Sequence, residues 1–415
     1  MPPPAKLPPC EVLRAWPKEW DCASLLRGSP EAVFPSPSRF LHPAFELQTK
    51  PGRGRCLVAT SPCPAGELVL VDAPLATASS RKALTEEACK QACQNPDFRE
   101  LLLSLCGDEA DDEGRAAAEA KEEGLRVLAA RIVLHNYQEA SQLPREGQLP
   151  QRTFDCGLWP LAALVNHSLR PNATRAVVGR AACYRLLKDL AVGEELLVSY
   201  FDPRLPRVAR AKKLQDRHGV SDEGPDEHDA PDSVTAELRQ RVTEAEGLLA
   251  DEKLEDAFRC LAEATNGCSE CGRSDPAFAD AFRCFAEVAG CLGGGAELQL
   301  QGLAAALEHA TLREAYSTLS CGLTAQLLGL ALDGGLSPEE RRATEALARE
   351  HARHVYGPGP EVFAALHPGL AERLAAGQVA GRPAAGGASA GQKRTAEGDA
   401  QSSAKRPKAD EQNPV

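Results

Sequence analysis

Two short segments of the chain combine side chains that can bind a polar ligand. An apolar run, GLWPLAALV, ends in Asn166, His167 and Ser168, and Asn172 follows four residues later. The segment GEELLVSYFDP, which contains Tyr200, comes further along the chain. Amide, imidazole and phenol groups at the end of a packed element can hydrogen-bond a polar ligand. The alternative is a loop in which the Asn and Ser side chains satisfy local backbone donors.

The elements that must position these groups form a β-rich unit, which we place at residues 44–220. Short β-favouring runs alternate with Gly and Pro after Phe45, and β character returns between residues 174 and 201. Between them, residues 81–139 are rich in Ala, Glu and Leu with helical spacing, which predicts a helical insert. The pattern therefore predicts an α+β fold for this unit.

The rest of the chain divides by composition. Residues 1–43 are crowded with Pro, which predicts an irregular leader, and residues 221–235 are acidic and turn-rich, which predicts a linker. Leu and Ala stripes over 236–375 predict an all-helical C-terminal domain that starts with an antiparallel helix pair. Its helices are similar to tetratricopeptide helices, and plain helical packing without a peptide groove is the alternative. The Gly, Ala, Ser and charge composition of 376–415 predicts disorder.

Composition narrows the class of protein. The 415 residues include 47 basic and 59 acidic side chains, a formal net charge of −12, which disfavours direct nucleic-acid binding and suits a basic protein substrate. The chain lacks both a long apolar stretch and a signal-peptide core at its start, so we expect neither a membrane nor a secreted protein. Fifteen cysteines, an odd number without close spacing, are typical of free thiols in a reducing compartment.

Three separated segments carry a family resemblance. PGRGR directly after Lys50, GLWPLAALVNHSLRPN and GEELLVSY, in this order and spacing, resemble the SET-domain protein lysine methyltransferases. The sequence is most similar to the SET and MYND domain family, over about residues 40–220 and more loosely over 235–370. The resemblance implies a β-rich SET domain, S-adenosylmethionine as cofactor, and a protein substrate with an exposed lysine, a histone being one candidate.

The resemblance also implies site residues. The residues expected to bind the cofactor are Gly52, Arg53, Gly54, Asn136, Asn166 and His167, and Tyr200 is expected to be catalytic at the methyl-transfer channel. Glycine suits such a loop because no Cβ blocks a close approach of the backbone to a ligand.

Zinc ligands of that family have no counterpart here. Two zinc ions need about eight ligands, whereas residues 81–130 offer only Cys89, Cys93 and Cys106 and no histidine. Leu169 stands where the family has a zinc cysteine after the NHS triplet, and SDEGPDE replaces the later cysteine cluster. We therefore expect no metal in the SET domain.

Two features leave alternatives open. The aromatic residue that walls the lysine channel in the family is unmatched, with Val220 near its place. A catalytically weak SET-like scaffold that holds protein partners through its helical domain is therefore the alternative to an enzyme. Cys268 and Cys271 form a single CxxC pair, which fits either a zinc site or free thiols in a helical loop.

Basic clusters in the tail indicate a cellular location. Lys393-Arg394, a ten-residue spacer and Lys405-Arg406-Pro407-Lys408 resemble a bipartite nuclear localisation signal, which an import receptor would bind. A solvating or nucleic-acid-touching tail is the alternative. The sequence thus predicts a nuclear protein, with shuttling to the cytoplasm left open, that methylates lysines of histones or other nuclear proteins.

Overall fold

The strands lie in the first half of the described chain. The computed structural model describes residues 12–14, 39–51, 53–105, 122–141, 152–168, 170–178, 180–201, 207–218, 232–270, 278–293, 295–312 and 315–376, together with Pro8 and Asp275. The strands are β1 (Phe40–Leu41), β2 (Phe45–Lys50), β3 (Gly54–Ala59), β4 (Leu68–Asp72), β5 (Ala76–Ala78), β6 (Tyr137–Ser141), β7 (Arg152–Leu158), β8 (Asn166–His167), β9 (Ala173–Val178), β10 (Ala181–Leu186) and β11 (Leu197–Val198).

These strands form four small sheets. An antiparallel sheet has the order β1-β4-β10-β9, β2 and β3 form a hairpin, and β5, β7 and β6 form a three-stranded antiparallel sheet. The fourth sheet is a parallel pair of β8 with β11. An isolated bridge between Val58 and Glu195 links the β2–β3 hairpin to the segment that leads into β11. The hairpin and the segment around Glu195, which are far apart in sequence, therefore lie side by side.

The helices fall into an insert and a long C-terminal series. The insert contains α1 (Arg81–Gln94), α2 (Pro96–Leu103) and α3 (Glu122–Asn136), and α4 (Arg207–His218) follows the strands. The later helices are α5 (Asp232–Ala250), α6 (Leu254–Glu270), α7 (Ala279–Cys291), α8 (Ala296–Ala310), α9 (Thr318–Leu330), α10 (Pro338–Tyr356), α11 (Pro360–Leu366) and α12 (Pro368–Ala376). Among the described helices, none combines the length and apolar character that a bilayer span requires.

The four-stranded sheet is buried on both faces, because side chains alternate between two cores. One face, with Phe40, Val71 and Cys183, packs against α9, α10 and α11 in a single cluster. The other face, with Leu70 and Tyr184, packs against residues of the 159–165 segment and of β11. Every residue of β4 is buried, as expected of a central strand covered on both sides. The C-terminal helices therefore share a core with the strands.

Several boundaries differ from the sequence expectation. Tyr137 to Ser141, partly inside the predicted insert of 81–139, is a strand because it pairs with β7. β1 lies inside the predicted leader, where Phe40 and Leu41 pair with β4 and are buried in the two cores. α5 begins at Asp232, before the predicted end of the linker. The rest of the linker and the tail from residue 377 lie outside the described residues.

The helix pair predicted near residues 238–262 is present as α5 and α6. An ion pair between Arg241 and Glu263 and the shared cluster of Ala245 with Ala257 show that the two helices run antiparallel. α10 begins with a capping box of Ser337 and Glu340 and ends at Gly357, whose φ of 123° suits glycine alone. The stop that Gly and Pro predict after this helix is confirmed.

Candidate active site

The NHS segment and the tyrosine segment lie side by side. In the parallel ladder of β8 and β11, Leu197 is opposite Asn166 and Val198 is opposite His167. The backbone N–H of Ser168 donates to the Val198 carbonyl at 3.0 Å and extends the ladder by one residue. The two motifs that the sequence separates therefore form one local structure.

Asn172 fixes the spacing of this ladder. Its side chain is buried, its Nδ2 donates to the Glu195 carbonyl at 2.7 Å, and its Oδ1 accepts from the Leu197 N–H at 2.8 Å. One amide thus satisfies both a backbone acceptor and a backbone donor, as an additional strand residue would. Sequence reasoning grouped Asn172 with the ligand-binding amides, whereas the structure uses it to hold β11 in place.

Asn166 links the β8–β11 ladder to the loop between β2 and β3. Its Nδ2 lies 2.7 Å from Glu195 Oε1, 3.2 Å from the Arg55 carbonyl oxygen and 3.3 Å from the Arg53 carbonyl oxygen. These acceptors use both amide hydrogens, so Oδ1 points away from them. Among the described residues, no donor reaches Asn166 Oδ1, which leaves an oriented acceptor on a half-buried side chain.

The loop that contains PGRGR is held by a charge pair. Arg53 Nη1 lies 3.3 Å from Glu195 Oε2, and Glu195 is buried while the Arg53 side chain is 46% exposed. The Arg53 N–H donates to the Lys50 carbonyl at 3.1 Å, which closes the turn. Gly54 has a φ of +65°, and a Cβ placed there would meet no atom within 4 Å. The loop thus faces open space and carries a guanidinium at its edge. Gly52 lies outside the described residues.

His167 is oriented by the backbone of Tyr200. The Tyr200 N–H donates to His167 Nδ1 at 3.0 Å, so Nδ1 carries no proton and the ring is neutral with its hydrogen on Nε2. The imidazole packs against the rings of Tyr200 and Phe201, with centroids 5.3 and 5.7 Å away. The position of His167 is therefore coupled to that of the tyrosine.

The Tyr200 hydroxyl points at the segment before Asn166. It donates to the Val165 carbonyl at 2.9 Å, and the ring is half-buried. Burial, together with nearby Tyr184 and Glu195, raises the pKa of Tyr200 above its ordinary value. The phenol is therefore protonated at neutral pH, and its hydroxyl is held in a fixed direction.

Asn136 is the last residue of α3 and lies near the other side of the loop. Its Nδ2 donates to the Ile132 carbonyl at 2.9 Å, and the Leu105 carbonyl lies 3.5 Å away. The Arg55 guanidinium donates to the carbonyls of Ser104, at 2.6 Å, and Leu105, at 3.3 Å. Arg55 thus joins the insert to β3, and Asn136 meets it at the shared Leu105 carbonyl.

Sequence reasoning missed Arg55 and Glu195. Glu195 touches Asn166 and Arg53, and the latter is 142 positions away in the chain. Its only local signal is its place in GEELL, where nothing distinguishes it from Glu194. Arg55 is the last residue of PGRGR. The Ser104 carbonyl to which it donates lies just after α2, 49 positions further along the chain. Such partners are set by tertiary packing, which spacing does not encode.

Where the structure describes them, the cysteines considered as zinc ligands lie on helices. Cys89 and Cys93 are one turn apart on α1. Cys268 is buried in α6, and Cys271 lies outside the described residues. Burial raises the pKa of the Cys284 thiol to about 11, so that cysteine is a protonated thiol at neutral pH. In the described part of the chain, no three His, Cys, Asp or Glu side chains cluster closely enough to hold a metal ion.

Comparison with known proteins shows which domain contains these residues. The family model described as "SET domain" matches residues 54–201, from the first residue of β3 to the residue after Tyr200. The chain contains a SET domain. Human "Histone-lysine N-methyltransferase SMYD3" is 31% identical over 120 residues, which cover 24% of this chain and 28% of that protein. The mouse protein of the same name is 30% identical over 120 residues, which cover the same shares of the two chains.

The SET domain of this chain thus resembles that of the SET and MYND domain lysine methyltransferases. The chain spans 28% of the length of the curated relatives it matches. A crystal structure of the SET domain of LSMT bound to lysine and AdoHcy is 12% identical, covers 87% of this chain and 89% of that chain, and superposes with a TM-score of 0.27.

Proposed function

We propose that this chain is an S-adenosylmethionine-dependent protein lysine N-methyltransferase that acts on histones or other nuclear proteins. The observation that carries the proposal is the convergence of Asn166, His167 and Tyr200 at the β8–β11 ladder, inside the matched SET domain. The competing function is a SET-like scaffold without turnover. The same ladder serves either function, so the tests below measure binding and turnover separately.

The residues present suit the cofactor's amino-acid portion. Asn166 Oδ1 is an oriented acceptor suited to an ammonium group, and the half-exposed Arg53 guanidinium is suited to a carboxylate. The open space beside Gly54 leaves room for a ligand against the backbone. When bound, S-adenosylmethionine supplies a methyl group on a positively charged sulfur. The resemblance adds Gly52, Asn136 and His167 to this set.

Tyr200 orients the reacting amine without removing its proton. A free lysine has a pKa near 10.4, so at pH 7 roughly one side chain in a few thousand is neutral. Desolvation in a narrow channel disfavours the ammonium and lowers that pKa. The Tyr200 oxygen, fixed by its bond to the Val165 carbonyl, keeps its lone pairs for the amine and methyl hydrogens. The raised pKa of Tyr200 fits this role, since a neutral phenol is an orienting group.

Calorimetry tests the cofactor assignment. We expect S-adenosylmethionine to bind the full chain with one-to-one stoichiometry, and Asn166→Ala to weaken binding by about tenfold or more, since it removes the oriented acceptor. Gln301→Ala, at an exposed position of α8, is the matched control and should bind like the wild type. Absence of any binding heat for the folded wild type would refute the proposal.

Nuclear substrates are supported by three observations. The matched relatives are named histone-lysine N-methyltransferases, the acidic chain suits a basic substrate, and two basic clusters lie in the tail. We expect changing Lys405, Arg406 and Lys408 to Ala to shift a fluorescent fusion towards the cytoplasm. Lys405, Arg406 and Lys408 are not among the residues assigned to the cofactor or to catalysis.

A control for the import experiment removes the same charge elsewhere. The exposed lysines Lys82, Lys90 and Lys212, changed together to Ala, lower the positive charge by the same amount. This variant should stay nuclear. Equal distribution of both variants would show that the tail clusters do not direct import.

A further inference from the structure

A buried ion pair lies behind the active-site ladder. Asp72, at the end of β4, is fully enclosed, and Arg39, just before β1, is 3% exposed. Arg39 Nε donates to Asp72 Oδ1 at 3.0 Å, and Arg39 Nη2 donates to the Ala73 carbonyl at 3.2 Å. The charges of both residues are therefore removed from water and face each other.

The second carboxylate oxygen of Asp72 holds a different segment. Oδ2 accepts from the N–H groups of Leu161 and Ala162 at 2.7 and 3.0 Å. These residues begin a single 3-10 turn, Ala162–Leu164, which has no side-chain cap of its own. Asp72, on β4, thus supplies the hydrogen-bond acceptor that the start of the turn lacks.

The turn leads directly into the active-site residues. Leu161, Leu164 and Val165 are each 0% exposed, so this short segment has little freedom to shift. Its carboxyl end presents the Val165 carbonyl to the Tyr200 hydroxyl, and the next residue is Asn166. Asp72 anchors one end of a five-residue span whose other end carries the site.

The energetics favour a positional role over a stabilising one. A buried ion pair gains little over a well-packed apolar pair, because removing two charges from water offsets their attraction. Burial raises the pKa of Asp72 to about 6, against the opposing effect of Arg39, so the carboxylate is mostly ionised above pH 7. A charged carboxylate oxygen that accepts two hydrogen bonds fixes the direction of the turn more sharply than an apolar contact does.

We propose that Asp72, paired with Arg39, is a positioning residue for the segment 161–167. Its effect on cofactor binding and turnover rests on the proposed function, whereas its effect on the segment does not. Among the described residues assigned to the cofactor, none hydrogen-bonds Asp72, so Asp72 acts through the turn.

Asp72→Asn tests the proposal directly. The new amide keeps the shape but must turn its NH2 either towards the Arg39 guanidinium or towards the two N–H groups. At pH 8 and well below the melting temperature, we expect hydrogen exchange in 161–165 to accelerate by about tenfold or more beyond the rest of the sheet. Affinity for S-adenosylmethionine should fall by about fivefold or more, with kcat lowered as well as KM raised.

Arg185→Met provides a control for lost stability. Arg185 is a buried guanidinium in the same sheet, and it donates to the carbonyls of Gly66, at 3.1 Å, and Tyr356, at 3.5 Å, on the side of the C-terminal helices. This variant should lower the melting temperature but leave both cofactor affinity and exchange in 161–165 unchanged. Equal changes in both variants would overturn the positioning role.

Two further outcomes keep the tests independent. If Asp72→Asn does not fold, Arg39→Lys keeps the charge but loses the planar fork, and it should give a smaller change in the same direction. Unchanged exchange in folded Arg39→Lys would also overturn the role. If the wild type binds no cofactor, the proposed function fails, and the exchange comparison alone still decides whether Asp72 positions the segment.

Discussion

The two sides of the four-stranded sheet bury polar groups in different ways. On the side of the β8–β11 ladder, the buried side chains of Asn172, Glu195 and Asp72 each have partners at 2.7 to 3.3 Å. On the side of the C-terminal helices, His351, His354 and His367 are buried, and His351 Nδ1 lies 2.9 Å from Ser320 Oγ. In the part of the chain that the structure describes, Nδ1 of His354 and of His367 has no hydrogen-bond partner.

This difference separates the tasks of the two regions. Specific bonds on the ladder side fix the direction of the Asn166 and Tyr200 side chains, which chemistry requires. Burial on the helical side keeps histidines neutral and joins the helices to the sheet. The ladder side is thus built for geometry and the helical side for cohesion, and the two should respond differently to protons and to mutations.

Acid should lower the stability contributed by the helical side. This is the largest effect that the comparison of the two sides predicts. Burial lowers the pKa of His351 and of His367 to about 4, from an ordinary value of 6.5. The unfolded chain binds their protons first, so their stabilisation is complete above pH 6.5 and is lost as pH falls towards 4. Each histidine then removes up to about 3 kcal/mol from the free energy of unfolding.

Urea unfolding from pH 7 to pH 4 measures this loss. The variant with His351→Gln and His367→Gln should show a flatter fall in the free energy of unfolding than the wild type. Asp72 acts with the opposite sign, since its raised pKa makes the folded state bind the proton first between pH 4 and 6. Identical pH profiles for wild type and variant would show that these histidines are not the acid-sensitive groups.

Two glycine substitutions, one in the site loop and one in α5, should have opposite effects on the free energy of unfolding. Gly54, in the site loop, has a φ of +65°, which an L-residue adopts at a cost of about 1 kcal/mol. Gly247, inside α5, has a helical backbone and open space where a Cβ would lie. We expect Gly54→Ala to lower the free energy of unfolding by about 1 kcal/mol and Gly247→Ala to raise it by up to about 1 kcal/mol.

Thermal denaturation of both variants measures the difference. A stabilising Gly54→Ala would mean that the loop relaxes away from its left-handed geometry. In that case the loop is not held by Arg53 and Glu195 as the structure indicates.

The sequence predicted the types of the elements well. Short β-favouring runs and turn residues located β2 to β4, and the Leu and Ala stripes over 236–375 predicted the region in which most of α5 to α12 lies. β1 was missed because two residues carry no periodicity, and they are buried by the two cores that cover the sheet. Residues Tyr137–Ser141 continue a helical pattern, and only pairing with β7 makes them a strand.

The candidate site was predictable as far as its motifs. Asn166, His167 and Tyr200 come together as the resemblance implies, because the two motifs contain the strands that pair. The supporting residues Glu195, Arg55 and Asp72 were not found, since their partners lie between 29 and 142 positions away in the chain. Motifs thus indicate which groups could react, and long-range packing decides what holds them.

Methyl transfer by wild type and Tyr200→Phe tests the central claim most directly. With radiolabelled S-adenosylmethionine, nuclear extract and purified histones, we expect the wild type to label protein lysines. Tyr200→Phe should keep cofactor affinity and lower turnover by about tenfold or more, because it removes an oriented oxygen and leaves the ring. No labelling by a wild type that binds the cofactor would contradict the enzyme and favour a scaffold. Labelling that Tyr200→Phe leaves unchanged would contradict the role of this hydroxyl.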